Sequence, residues 1–205
     1  MNYDTIVIGA GIAGLLAAIG RAEAGERVLL LAKGHGTTHW AAGCVDILDA
    51  GDDPLSAVRD LAAAQPDHPY ALAGPDALEQ GLARLRAACE AAGYPLVGSA
   101  SRTLLLPTAL GALRPTALVP ATMAAGEHRQ LADGRPTLIA GLHELRDFFP
   151  PLVAANLQAQ GLRAEAAYLA LPPTARQREF GPMILARLFE QPEFRAAIGA
   201  QLAEL

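Results

Sequence analysis

Apolar positions change their period several times along the chain, and each change marks an element. Thr5 to Ile8 is a short β-branched run suited to a buried parallel strand. After a glycine-rich turn, apolar residues continue as a helix from about Ile12 to Ala24. Gly25 ends it, and Val28 to Leu31 forms a second strand-like run. Further on, a short helix is expected near Leu55 to Ala64, followed by a break over residues 65–75. Asp76 with Glu79 reads as a capping box for a helix running to about Ala92, with Leu78, Leu82, Leu85 and Cys89 on its apolar face. Between Leu96 and Met123, short apolar runs alternate with Pro and Gly, the pattern of antiparallel strands. Residues 134–172 repeat a strand–turn–helix–strand rhythm that suggests a return to the main sheet. Pro150 and Pro151 stand at a helix start or kink. A last helix carries Phe194, Ile198, Leu202 and Leu205 on one stripe and breaks off without a cap.

The expected fold class is α/β, with a parallel sheet, a smaller mixed α+β cap region and a fold left incomplete at the C-terminus. The expected division is 1–75 for the β-α-β unit and its following loop, 76–133 for the cap or substrate region, 134–172 for the return to the sheet, and 173–205 for the terminal helical segment. Composition narrows the function. With 52% hydrophobic residues the 205-residue chain reads as a packed domain rather than a disordered one. A net charge of −5, a single lysine (Lys33) and scattered arginines leave no basic stripe for nucleic acid. The apolar opening is too short and too glycine-rich to span a membrane, so a soluble, cytoplasmic chain is expected, with any membrane link made through partners. Cys44 and Cys89 belong to no metal-binding cluster, and two thiolates cannot supply an ordinary iron–sulfur cluster. No metal site is expected.

The chemistry is concentrated at Gly9, Ala10, Gly11, Ile12, Ala13 and Gly14, a G-x-G-x-x-G turn between the first strand and the first helix. The first glycine permits the turn, the second lets a phosphate approach the backbone, and the third lets the helix pack on the strand. The helix then points free N–H groups and the positive end of its dipole at that phosphate. A glycine turn with no ligand is the bland alternative, but the strand–turn–helix–strand context favours a dinucleotide- or flavin-type site. Where such folds usually end the second strand on a carboxylate that grips the adenosine ribose, this chain has Ala32 and then Lys33. Lys33 either reaches a phosphate or lies in solvent. Phosphate binding is therefore better supported than adenosine binding, which lowers the case for NAD and leaves FMN open beside FAD. The next loop, "GHGTTHWAAGCVDILD", combines small residues with two histidines and the sole Trp. It reads as cofactor contact through His39, Ala42 and Gly43, or as a plain connection with Trp40 and Val45 in the core.

The segments "DTIVIGAGIAGLLAA", "THWAAGCVDIL", "HPYAL", "LGALRPTALVP", "LIAGLHELRDF" and "EFGPMILARLFE" occur in the order seen in the B subunits of the anaerobic glycerol-3-phosphate dehydrogenases, and the chain resembles that family over nearly its whole length. The resemblance implies a Rossmann-like FAD/NAD(P)-binding fold and a flavoprotein partner, with FMN as the first expectation and FAD as the alternative. It also implies an FAD-containing catalytic subunit and an iron–sulfur subunit linked to the membrane. Together these oxidise sn-glycerol 3-phosphate to dihydroxyacetone phosphate and pass electrons to quinone. The loop is also similar to that of the fumarate reductase and succinate dehydrogenase flavoproteins, where a histidine can carry flavin covalently. His39 is the matching position, with non-covalent contact or packing favoured. Family members continue well beyond Leu205, so a truncated chain is expected.

Two other readings remain: an independent FAD oxidoreductase of the fumarate-reductase type, and an inactive half serving as an assembly module. No side chain stands out as catalytic. Arg114 and Thr116 suit an anionic substrate, with a surface turn the favoured alternative. His143 and Asp147 are four apart, but that pairing disappears if the helix begins only at Pro150.

Overall fold

A computed structural model describes residues 2–49, 51–172 and 180–205. The chain divides into two compact units, residues 1–104 with 115–125, and residues 105–114 with 126–205.

In the first unit, β1 (Thr5–Ile8), α1 (Ile12–Glu23) and β2 (Val28–Leu31) follow the expected boundaries to within a residue. β1 and β2 pair in parallel, Thr5 opposite Val28 through Ile8 opposite Leu31. Gly25 takes a φ of +86°, which only glycine adopts at little cost, and so ends the helix. α2 (Pro54–Ala64) starts where Asp53 accepts a hydrogen bond from the Ser56 N–H. The expected break at 65–75 is itself partly helical: α3 (Pro69–Ala73) is started by Pro69 and capped by His68 Nδ1, which accepts from the Tyr70 N–H. α4 (Pro75–Ala91) begins at Pro75 with Gly74 as its N-cap, so the Asp76–Glu79 capping box does not form. Proline at the first helical position displaced the boundary by two residues. Glu79 pairs instead with Arg59 at 3.3 Å.

The expected apolar face of α4 does form. Leu82 is buried with Leu96 and Leu118, and Leu78, Leu85, Cys89, Val45 and Ile47 pack around them. β3 (Leu96–Gly98) pairs antiparallel with β6 (Leu118–Pro120). β4 (Leu104–Pro107) and β5 (Leu113–Thr116) pair with each other where the chain passes between the units. Residues 113–116 are thus a strand, not a surface turn.

The second unit holds the short α5 (His128–Leu131), then β7 (Thr137–Leu142), α6 (Pro150–Ala159) and β8 (Ala164–Leu169), the strand–helix–strand rhythm read from sequence. β7 and β8 pair in parallel with each other, Thr137 opposite Ala164 through Leu142 opposite Leu169. Val153, Ala154, Leu157, Leu162 and Ala164 form one core, and Leu142, Leu169, Leu171, Leu188, Phe194 and Ile198 another. The second core is built on α7 (Pro182–Phe189) and α8 (Pro192–Ala203). Only half of the expected α8 stripe is inside: Phe194 and Ile198 are buried, whereas Leu202 and Leu205 are exposed. The Gln201 amide accepts from the Ala170 N–H at 2.8 Å and donates to the Ala170 carbonyl at 2.9 Å. Residues 173–179, which open the expected 173–205 segment and include Glu179 of the last resembling motif, lie outside the described residues.

Candidate functional site

The glycine turn sits at the carboxyl end of β1, where open α/β sheets bind ligands. Gly9 takes a φ of +105° and donates its N–H to the Leu31 carbonyl at 2.8 Å, tying the turn to the end of β2. The next five N–H groups, from Ala10 to Gly14, have no hydrogen-bond partner among the described residues, and no side chain caps α1. Those donors, with the positive end of the helix dipole, are what an anion requires.

The three glycines do different work. A Cβ on Gly14 would lie 2.0 Å from the Gly9 carbonyl oxygen, so only glycine lets α1 sit this close to the turn. A Cβ on Gly9 or Gly11 would meet nothing within 4 Å. The space a side chain would fill there is open, and it lies beside the unpaired donors. This is a cradle that fits a phosphate.

The loop after β2 closes against the same turn. A Cβ on Gly36 would fall 2.7 Å from Gly11 Cα and 3.0 Å from the Ala10 carbonyl oxygen. At its far end Gly43, with a φ of +82°, packs where a Cβ would be 2.8 Å from the Tyr94 hydroxyl and 3.0 Å from Pro120. Gly43 is therefore explained by packing within the first unit. Between these two points the His35 and His39 rings stack with centroids 4.4 Å apart, and Trp40 meets His39 edge-on. Trp40 is 70% exposed and so is not core, whereas Val45 packs on the α4 core and bonds Leu118. Lys33, His39 and Ala42 are exposed. Lys33 and His39 take part in no ion pair among the described residues. Ala32 ends the strand with no carboxylate.

The Thr116 hydroxyl is occupied, donating towards the Val45 and Leu118 carbonyls at 3.1 and 3.3 Å. His143 lies before α6, which starts at Pro150, so it shares no helical face with Asp147; its ring stacks on Tyr168 at 4.0 Å. Sequence reasoning missed Glu127, which is buried in the second unit. Its Oε2 accepts from the Arg129 N–H at 3.0 Å, and its Oε1 lies 3.8 Å from the Arg129 guanidinium. No spacing signal in the sequence announced its burial. Among the described residues no group of three or more His, Cys, Asp or Glu could hold a metal. No described helix is long and apolar enough to cross a membrane.

A family model described as an FAD binding domain matches residues 4–189. The chain is 36% identical, over 218 aligned positions, to the B subunit of the anaerobic glycerol-3-phosphate dehydrogenase of Pectobacterium atrosepticum, covering all of this chain and 51% of that protein. The corresponding protein of Yersinia enterocolitica is 34% identical over 216 positions with the same coverage. That of Actinobacillus pleuropneumoniae is 28% identical over 93% of this chain and 48% of its own length. The chain spans about half the length of the curated relatives it matches. The expected resemblance and the Rossmann-like α/β class both hold. The match supports a flavin-binding chain, but it corrects one expectation: placing FMN ahead of FAD has no support in it.

Proposed function

The chain belongs to the FAD-binding-domain family, and from that premise we propose that it binds the diphosphate of FAD at Gly9–Gly14 and serves as a flavoprotein subunit in the oxidation of sn-glycerol 3-phosphate. One observation carries the reading: five consecutive N–H groups, Ala10 to Gly14, without a partner among the described residues, beside open space at Gly9 and Gly11. Flavin, when bound, supplies the capacity to take up two electrons as hydride and release them onward. The chain's own part is to bind and orient. The turn's amides hold the diphosphate without a reorganisation cost, because the helix start already aligns them. Ala32 leaves the ribose hydroxyls without a carboxylate, so affinity rests on the phosphates more than in folds that carry an acid there. Lys33 adds a positive charge at the end of β2, and His39, Ala42 and Gly43 line the loop that closes on the turn, with non-covalent contact at His39.

By likeness to the named dehydrogenase relatives, the substrate is sn-glycerol 3-phosphate and the product dihydroxyacetone phosphate. The partners are an FAD-containing catalytic subunit and an iron–sulfur subunit at the inner face of the membrane, and the acceptor is quinone. The test is direct. The purified chain should carry a visible flavin spectrum, and acid release followed by chromatography should yield FAD and leave the polypeptide colourless. A folded protein that takes up no flavin overturns the reading. Dye reduction by glycerol 3-phosphate, alone and with partner subunits, identifies which chain owns the chemistry.

A further inference from the structure

Where the tip of the β4–β5 hairpin meets α6 there is an open cavity of about 330 Å³, lined by Ala112, Leu113, Asn156 and Gln160. All four residues belong to the second unit. The tip is tightly made. The Thr108 N–H donates to the Ala112 carbonyl at 2.8 Å, and the Gly111 N–H to the Thr108 carbonyl at 2.9 Å. Gly111, at a φ of +78°, lies so close to α6 that a Cβ would fall 2.6 Å from the Val153 carbonyl oxygen. Two amides, one helical turn apart on α6, hold the tip in place. Asn156 Nδ2 donates to the Leu110 carbonyl at 2.6 Å, and Gln160 Nε2 to the carbonyls of Gly111 at 2.8 Å and Asn156 at 2.7 Å. Each of these partners is an acceptor, so each amide must turn its nitrogen to the backbone. Asn156 Oδ1 and Gln160 Oε1 are left without a donor among the described residues.

The cavity thus offers two neutral acceptors on side chains whose Cβ atoms stand about 5–6 Å apart, beside the apolar surface of Ala112 and Leu113. No charged side chain lines it among the described residues. A cation placed there would lose hydration with no carboxylate to pair with, and a phosphate would meet carbonyl oxygens that repel it. What fits is a neutral molecule with several hydroxyl donors and an apolar face. The volume lies at the lower end for small-molecule sites, enough for one sugar-sized ring. We infer that this cavity binds a neutral polyhydroxylated ring of monosaccharide or cyclitol size. Two of its hydroxyls donate to Asn156 Oδ1 and Gln160 Oε1, and its carbon-bound hydrogens rest on Leu113. The site shares no residue with the glycine turn, and the inference stands whether or not FAD binds.

The side-chain amide NMR signals of Asn156 and Gln160, recorded on the whole chain, read the site directly. Titration with glucose and, separately, with myo-inositol should move both sets of signals saturably, in the millimolar range expected of so small a polar ligand. The probe that saturates at the lower concentration distinguishes a sugar from a cyclitol as the closer match. Glucosamine and glucose 6-phosphate, which add a positive and a negative charge, should bind more weakly than glucose at these signals. Ala112→Leu fills the cavity without touching either amide and should weaken binding by about tenfold or more. Ala112→Ser leaves the cavity open and should keep the affinity. Backbone signals of β7 and β8 report whether each variant is folded, and the charged probes keep the test decisive if Ala112→Leu is not. Three results overturn the inference: no saturable shift of the two side-chain amides with either neutral probe, undiminished binding in folded Ala112→Leu, or tighter binding of a charged probe than of glucose.

Discussion

The chain contains two parallel strand–helix–strand units, β1–α1–β2 and β7–α6–β8, and they use the same topology for opposite ends. α6 buries Pro150, Val153, Ala154 and Leu157, whereas α1 buries none of its residues. The helix starts differ in the same sense. α1 opens with unpaired N–H groups, while Pro150 and Pro151 have no N–H to offer and those of Leu152 and Val153 already reach the Phe149 carbonyl. The Pro150 ring also lies over Gly141, where a Cβ would be 2.4 Å from Pro150 Cγ, so the end of β7 is sealed. A helix start can serve a ligand or close a core, and the residue at its first two positions decides which. The first unit keeps donors and space open; the second exchanges both for burial.

The largest expected effect separates the two helices by stability. Leu157→Ala, at a fully buried position, should cost about 2–5 kcal/mol, and Leu15→Ala on α1 less than about 1 kcal/mol. Urea unfolding of both variants checks this, and equal losses would erase the contrast. Next come the two close glycine contacts. Gly14→Val and Gly141→Ala both force overlap, worth about 1–3 kcal/mol each, yet only the first should abolish flavin retention. Loss of flavin in both would mean that the units are not functionally distinct.

Gly11→Ala is a finer probe, since its methyl enters open space. Stability should change by less than about 1 kcal/mol, while FAD affinity, read by equilibrium dialysis, falls at least tenfold, or about 1.4 kcal/mol. The smallest effect is in acid. The Arg27 backbone N–H, then its guanidinium, holds the Asp4 carboxyl below its ordinary 3.8. The Arg135 guanidinium, then its backbone N–H, does the same for Asp133. Both carboxyls are depressed in the folded chain, so what they contribute is present above pH 3.8 and lost as pH falls below it. Carboxyl titration by NMR should show Asp133 returning towards 3.8 in Arg135→Ala, while Asp4 stays low in Arg27→Ala because its main donor is backbone.

How much of this was legible depended on the range of the deciding interaction. β1, α1, β2 and the α4 face were readable because glycine, β-branching and apolar period act within a few residues. The free N–H groups followed from the same local signal. The capping box failed because Pro75, two residues earlier than the helix would otherwise start, set the boundary. Trp40 could be placed either way from sequence; the loop that carries it is held by close contacts of Gly36 with Gly11 and of Gly43 with Tyr94 and Pro120, segments far apart in the chain. The exposed Leu202 and Leu205 show the same limit: a helical stripe states which side is apolar, not how far along it the neighbouring core extends.

The Gln201 amide addresses both polar atoms of Ala170, as a neighbouring strand would. One side chain thereby ends the β8 edge and fixes the rotation of α8 about its own axis. A glutamate there could answer only one of the two atoms and would set a negative charge against a carbonyl. The last described helix is keyed to the sheet by a two-way match that a single atom change undoes, alongside the burial of Phe194 and Ile198.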